Sequence, residues 1–161
     1  MDKDTLVLLA ADVEAQFALI DETFEKLENR ASGLGRADEA RLESAAYQLH
    51  NLYNAVEDLL KIIAEAFENQ VTDTARWHTR LLRRMSHDIA GVRPALLSQT
   101  SYRLLDELRS FRYFFRHAYA APIDLERLQL NLRKAEALRP LLTQDVARFL
   151  HQVGQEGPPG T

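Results

Sequence analysis

The amino-acid sequence predicts an all-α fold, an antiparallel four-helix bundle with an additional short helix, on three observations. Apolar residues return at steps of three and four along almost the whole chain, as one face of a helix requires. No stretch alternates apolar and polar residues as a half-buried strand does. The links between the periodic stretches are short, which turns long helices back on one another. With 161 residues, 46% of them hydrophobic, the chain has material for one core and too little for two. Residues 1–153 are therefore expected to form a single helical domain.

The first helix is expected to begin at Asp4, a residue type that caps helix N-termini, and to bury Leu6, Leu9, Val13, Phe17, Ile20, Phe24 and Leu27. The segment 31–37, with Gly33 and Gly35, ends it. Asp38 caps a second long helix with a stripe through Leu42, Ala45, Ala46, Leu49, Leu52, Tyr53, Val56, Leu60, Ile63 and Phe67, fading at Asn69 and Gln70. A short helix from near Thr74 carries Trp77, Leu81, Leu82 and Met85 and stops before Gly91 and Pro94. A fourth, from Ser98 or Thr100, is buried along Leu104, Leu108, Phe111, Phe115 and Ala118, and Pro122 breaks it. Asp124 caps the last helix, buried along Leu125, Leu128, Leu132, Leu138, Leu142, Val146 and Leu150, which Pro140 is expected to kink or divide. Residues 154–161, with Gly157, Pro158 and Pro159 in succession, are expected to form a flexible tail.

A net charge of −4 conceals a segregation along the chain. Residues 1–73 carry 6 basic and 16 acidic side chains, residues 74–116 carry 9 and 3, and residues 117–161 carry 5 and 5. The nine basic residues of the middle block are Arg76, Arg80, Arg83, Arg84, Arg93, Arg103, Arg109, Arg112 and Arg116, with no lysine among them. Planar guanidinium groups hold two phosphate oxygens at once, so together they favour a polyanionic partner. The plainer alternative is that individual arginines pair with the acidic first third inside the bundle.

Several chemistries are excluded. The chain has no cysteine, which removes disulfides, thiolate metal sites and cysteine nucleophiles. The residues three before His50, His78, His87, His117 and His151 are Tyr47, Ala75, Arg84, Phe114 and Arg148, so the Glu-x-x-His pairs of carboxylate-bridged metal bundles are missing. There is no His-Glu-x-x-His motif, phosphate-cradling glycine loop or glycine-flanked serine. No metal and no cofactor are expected. The chain opens without a signal-peptide pattern and holds no apolar run of bilayer length, so a soluble, cytoplasmic protein is expected.

The stretch Arg112-Tyr113-Phe114-Phe115-Arg116-His117-Ala118-Tyr119 closes a strongly apolar helix with Arg, four residues, His, one residue and Tyr. RNA is cleaved without a metal when a ribose 2′-hydroxyl attacks its own phosphate, which needs a proton acceptor, a proton donor and a cation. His117 suits proton transfer near neutral pH, and Arg112 suits the phosphate because its charge is permanent and its donors form a fixed fork. At about 100° per residue, Arg112 and His117 lie about 140° apart on one helix, while Arg109, Arg112, Arg116 and Tyr119 fall on one side. Either the helix unwinds near His117 as it approaches Pro122, or two copies face each other across a two-fold axis and pool their residues; we favour the second arrangement, with the first assisting. Arg109 and Arg116 are then candidate RNA-binding residues.

The same residues have plainer readings. A single His near a helix end is commonly a cap or a solvated group, and arginines four apart are common on wet helix faces. Phe111, Phe114 and Phe115 read as core before they read as a platform for bases. Trp77 and His78 read as packing, with lining of the cleft as the alternative, and Tyr113 fits a dimer contact or a groove. A non-catalytic helical module that dimerises and binds a nucleotide or a protein partner is the competing function.

The Arg-x4-His-x-Tyr pattern, late in a bundle of this size and followed by Pro122-Ile123-Asp124-Leu125-Glu126, resembles the HEPN superfamily, and within it the HepT toxins of two-gene toxin–antitoxin modules. Trp77-His78-Thr79-Arg80-Leu81-Leu82, Arg93-Pro94 and residues 105–115 resemble a HepT-like subgroup, and the likeness runs over roughly residues 40 to 140. The resemblance implies a HEPN-like bundle and a homodimeric, metal-independent ribonuclease with Arg112 and His117 in the catalytic positions at the dimer cleft. It implies a minimal nucleotidyltransferase antitoxin as partner and Tyr119 as the residue that such a partner modifies with AMP. Many members place a polar residue, often Asn, after the motif arginine; here it is Tyr113, a departure that bears on activity or substrate choice. The long acidic first helix also goes beyond the shortest members.

Overall fold

The computed structural model describes residues 1–35, 38–68, 77–117 and 122–155, with side chains described outside 113–117. They form five helices, α1 (Lys3–Ala31), α2 (Glu39–Glu68), α3 (Trp77–Arg84), α4 (Gln99–His117) and α5 (Leu125–Gln155), and no strand is found among the described residues. The fold is an all-α helical bundle.

Side-chain caps set most of the helix starts. Asp2, rather than Asp4, caps α1: its carboxylate accepts the Thr5 amide at 2.9 Å and the Thr5 hydroxyl at the same distance, and these bonds hold it below the usual carboxylate range. The Asp4 carboxylate stands in the first turn, where the helix dipole favours it. Asp38 accepts the Arg41 amide at 3.0 Å and Asp124 the Glu126 amide at 3.0 Å, so both expected caps are present. Ser98 accepts the Ser101 amide at 3.2 Å and opens α4. α1 ends where Gly33 takes φ 67°, a left-handed conformation that glycine adopts without strain, and the Arg41 guanidinium donates to the freed Ser32 carbonyl.

The long helices follow one another around the bundle in the order α1, α2, α4, α5, each antiparallel to the next. Gln16 donates to the Ala55 carbonyl between α1 and α2. Glu57 faces Arg112 while Glu68 faces Arg93, which runs α2 against α4. Ser98 binds Asp145 while Lys134 binds Glu107, which runs α4 against α5. Arg139 of α5 reaches Asp21 and Glu28 of α1 and closes the ring. α3 packs on α2 and α4, burying Trp77, Leu81 and Leu82. The core joins Ile20, Phe24, Leu49, Leu52, Leu60, Ile63, Leu105, Leu138, Leu142 and Phe149.

Further expectations are corrected. Pro140 does not divide the last helix: α5 runs unbroken from Leu125 to Gln155. Pro140 is exposed, so water can satisfy the carbonyl that its missing N–H leaves free. The buried stripe of α4 is centred on Leu105, fully buried, and Leu104 is only half-buried, because α4 is covered by α2, α3 and α5 together and its inward face is correspondingly wide. α5 also continues past Gly154, and residues 156–161, where the tail is expected, lie outside the described residues.

Candidate active site

Helical spacing brings the site together. Tyr53, Glu57 and Lys61 stand four residues apart on α2 and so share one face. On α4, Ser101, Leu105 and Leu108 lead by steps of three and four to Arg112, which therefore lies on the inward face of its helix. The first turn of α3 supplies Trp77 and His78.

Glu57 is the hub, a carboxylate only 4% exposed in the middle of an apolar helix face. Its Oε2 lies 2.8 Å from His78 Nδ1 and 3.9 Å from Arg112 Nη1, and its Oε1 lies 3.8 Å from Lys61 Nζ. A buried carboxylate persists only when cations and hydrogen bonds replace water, and here α2, α3 and α4 each supply one. The Arg112 guanidinium lies 5.4 Å from the centre of the Tyr53 ring and Lys61 Nζ 4.8 Å from that of Trp77, cation–π distances that help hold both groups. Trp77 meets His78 edge to face. Burial, and after it the charge of Glu57, push the Tyr53 phenol far above its ordinary value against the opposing charges of Arg109 and Arg112.

Arg112 is the predicted site residue that the structure describes most fully. Its side chain is 13% exposed, and its Nε is buried with no hydrogen-bond partner. The 3.9 Å approach to Glu57 is a charge contact too long for a hydrogen bond. Arg109 is bound by its neighbour Asp106 through Nε at 3.1 Å and Nη2 at 2.9 Å. His117 is the last residue of α4 and Arg116 precedes it; their side chains, like that of Tyr113, are not described, and Tyr119 lies outside the described residues. Since α4 stays helical to His117, no unwinding ahead of that residue brings it round to Arg112.

The arginine block divides. Arg84 and Arg93 pair with Glu68, Arg112 with Glu57 and Arg109 with Asp106, largely as the plainer alternative holds. Arg80, Arg83 and Arg103 are exposed and make no ion pair with a described residue, and Arg76 lies outside the described residues. Among the described residues no group of three or more His, Asp and Glu side chains is placed to hold a metal.

Reading the sequence missed Glu57 and Lys61. The signal was available, since Glu57 is an acid set between Val56 and Leu60 on a face that is otherwise apolar. His78 was singled out, and of its two readings the structure supports more than packing: it is the hydrogen-bond partner of the buried hub.

A family model described as HepT-like protein matches residues 44–153. The chain belongs to the HepT-like family of the HEPN superfamily. The match begins within α2, so α1 stands outside it. No match was found among curated proteins or among solved structures. No described helix is long and apolar enough to cross a membrane.

Proposed function

We propose that this HepT-like chain is a metal-independent ribonuclease toxin whose site forms where two copies meet. The state of Arg112 carries the reading. A guanidinium in a nearly water-free place, held by a ring face and a carboxylate 3.9 Å away, with a buried Nε still unbonded, retains capacity for an anion. Arg112 is also the first residue of the Arg-x4-His-x-Tyr pattern, and family membership supports a ribonuclease role for that pattern.

In this reading Arg112 grips the scissile phosphate and stabilises its developing charge, and His117 transfers a proton. The separation of about 140° around α4 is bridged by a two-fold axis that sets Arg112 of one copy beside His117 of the other. Exposed Arg80, Arg83 and Arg103, together with Arg116 and Arg109, guide the RNA backbone. A nucleotidyltransferase antitoxin is the partner, and AMP attached to Tyr119 would fill the anion site with phosphate and block RNA. The chain is expected to form one domain over residues 1–153 and to work in the cytoplasm.

The test is cleavage of RNA by the purified chain in EDTA. We expect cleavage to persist there and to disappear in His117→Ala and Arg112→Ala with the fold intact. Full cleavage by both variants would remove the assignment, and RNA binding without turnover by the wild type would place the chain with non-catalytic, HEPN-like binding modules. Intact mass after co-expression with a nucleotidyltransferase partner tests the switch: added AMP on Tyr119 supports it, and an unmodified Tyr119 in a neutralised complex means inhibition by docking alone.

A further inference from the structure

The cluster around Glu57 holds an imidazole that the Arg-x4-His-x-Tyr pattern does not include. We propose that His78 is the general base of the cleavage reaction, an inference that rests on the ribonuclease reading above. His78 Nδ1 lies 2.8 Å from Glu57 Oε2, and the same oxygen lies 3.9 Å from Arg112 Nη1. One carboxylate oxygen thus ties an imidazole and the phosphate-binding guanidinium to a common point within a single chain. A carboxylate only accepts, so Nδ1 is the donor to it, which leaves Nε2 as the nitrogen free to take a proton when the ring acts as a base. The His78 side chain is 39% exposed over a carboxylate that is almost fully buried, so the orienting group is sealed and the acting group is accessible. An imidazole fixed through one nitrogen by a buried acid and acting through the other is a recurrent design for a general base.

The groups facing this imidazole come from three helices. α2 contributes Glu57, with Lys61 and Tyr53 on either side of it; α4 contributes Arg112, with Arg109 one turn away; α3 contributes Trp77. In the reaction, Nε2 of His78 takes the proton of the ribose 2′-hydroxyl and the 2′-oxygen bonds to phosphorus. The bond from phosphorus to the 5′-oxygen breaks, its electron pair leaves on that oxygen, and the imidazolium of His117 supplies the proton that oxygen takes up. The products are a 2′,3′-cyclic phosphate and a 5′-hydroxyl end, and solvent returns both rings to their starting states. His117 alone offers one proton-transfer group per copy, whereas the chemistry needs an acceptor and a donor.

The competing role for His78 is a latch that holds α3 to α2. His78→Asn separates the two, because the asparagine amide can replace the Nδ1 donor to Glu57 while the base at Nε2 is lost. Cleavage is measured on an oligoribonucleotide and on uridine 3′-(4-nitrophenyl phosphate), whose leaving group needs no proton. We expect His78→Asn to melt with the wild type and to lose about 100-fold or more in rate on both substrates. His117→Ala, lacking only the donor, should be slow on the oligoribonucleotide and recover most of its rate on the nitrophenyl ester. Wild-type rates in His78→Asn beside an inactive His117→Ala would overturn the proposal and leave the ribonuclease reading standing. If His78→Asn is destabilised, added imidazole decides: restored cleavage by His78→Ala supports the base, and no restoration overturns it. A wild-type protein that cleaves neither substrate overturns both readings.

Discussion

Two interior arginines of this chain are held in opposite ways. Arg93, with a fully buried side chain, donates Nε and Nη2 to Glu68 at 3.2 and 2.7 Å, Nη1 to the carbonyls of His87 and Pro94, and Nη2 to that of Arg84. Its donors are taken up by α2, by the end of α3 and by the loop that follows it, so Arg93 serves the fold. Truncating it strands Glu68, 10% exposed, with only Arg84, and Arg93→Ala should cost about 3–5 kcal/mol in urea denaturation. Arg112→Ala should cost clearly less, since His78 and Lys61 remain at Glu57; equal losses would mean that Arg112 is structural too. Tyr53 gives a second prediction. Its raised phenol pKa means that the neutral form stabilises the fold fully below the ordinary value of 10.0, and that this contribution is lost as pH rises beyond it toward the folded value. Ultraviolet titration should show a tyrosine, absent from Tyr53→Phe, that ionises only as the chain unfolds, and Tyr53→Phe should lessen the alkaline loss of stability. Ionisation of all five tyrosines in the native state near pH 10 would contradict this. At this scale Arg112 stands out in the sequence through its local pattern, whereas His78 reads first as packing beside Leu81 and Leu82. Glu57 was passed over because its role depends on side chains 21 and 55 positions further along the chain, which no local pattern connects.

At the scale of elements, capping was largely readable and the exceptions have physical reasons. Asp38 and Asp124 stand at helix boundaries marked by composition, whereas Asp2 and Asp4 are both acids at the start of α1, and only the geometry of Thr5 decides between them. The stripe of α4 was read one position off centre because periodicity finds a face and cannot tell how many neighbours cover it. Pro140 inside α5 removes a hydrogen bond at a cost near 3 kcal/mol in a helix interior. Since the residue is exposed, Pro140→Ala should stabilise the chain by roughly 1 kcal/mol or more and leave RNA cleavage unchanged; a lower melting temperature would show that the proline fits a bend that α5 needs. Asp145 is a different kind of junction. Its buried carboxylate accepts the Ser98 amide and hydroxyl and the Arg148 guanidinium, fastening the start of α4 to α5. Asp145→Ala should cost about 1–3 kcal/mol and weaken amide protection first in the opening turn of α4, as hydrogen exchange would report.

For the whole molecule, the all-α bundle followed from periodicity and link length, which report on each helix and its neighbour in sequence. The way two copies would meet leaves no such trace. Yet the functional reading depends on it, because α4 holds Arg112 and His117 at register positions about 140° apart on one unbroken helix. The most direct measurement mixes two inactive chains in EDTA, Arg112→Ala and His117→Ala, after a cycle of dissociation and reassociation. Each mixed dimer would keep one cleft with an intact arginine from one copy and an intact histidine from the other, so RNA cleavage should return to about a quarter of the wild-type rate in an equimolar mixture. A mixture as inactive as its components would contradict a pooled site, and wild-type cleavage by either variant alone would contradict the chemistry assigned to these two residues.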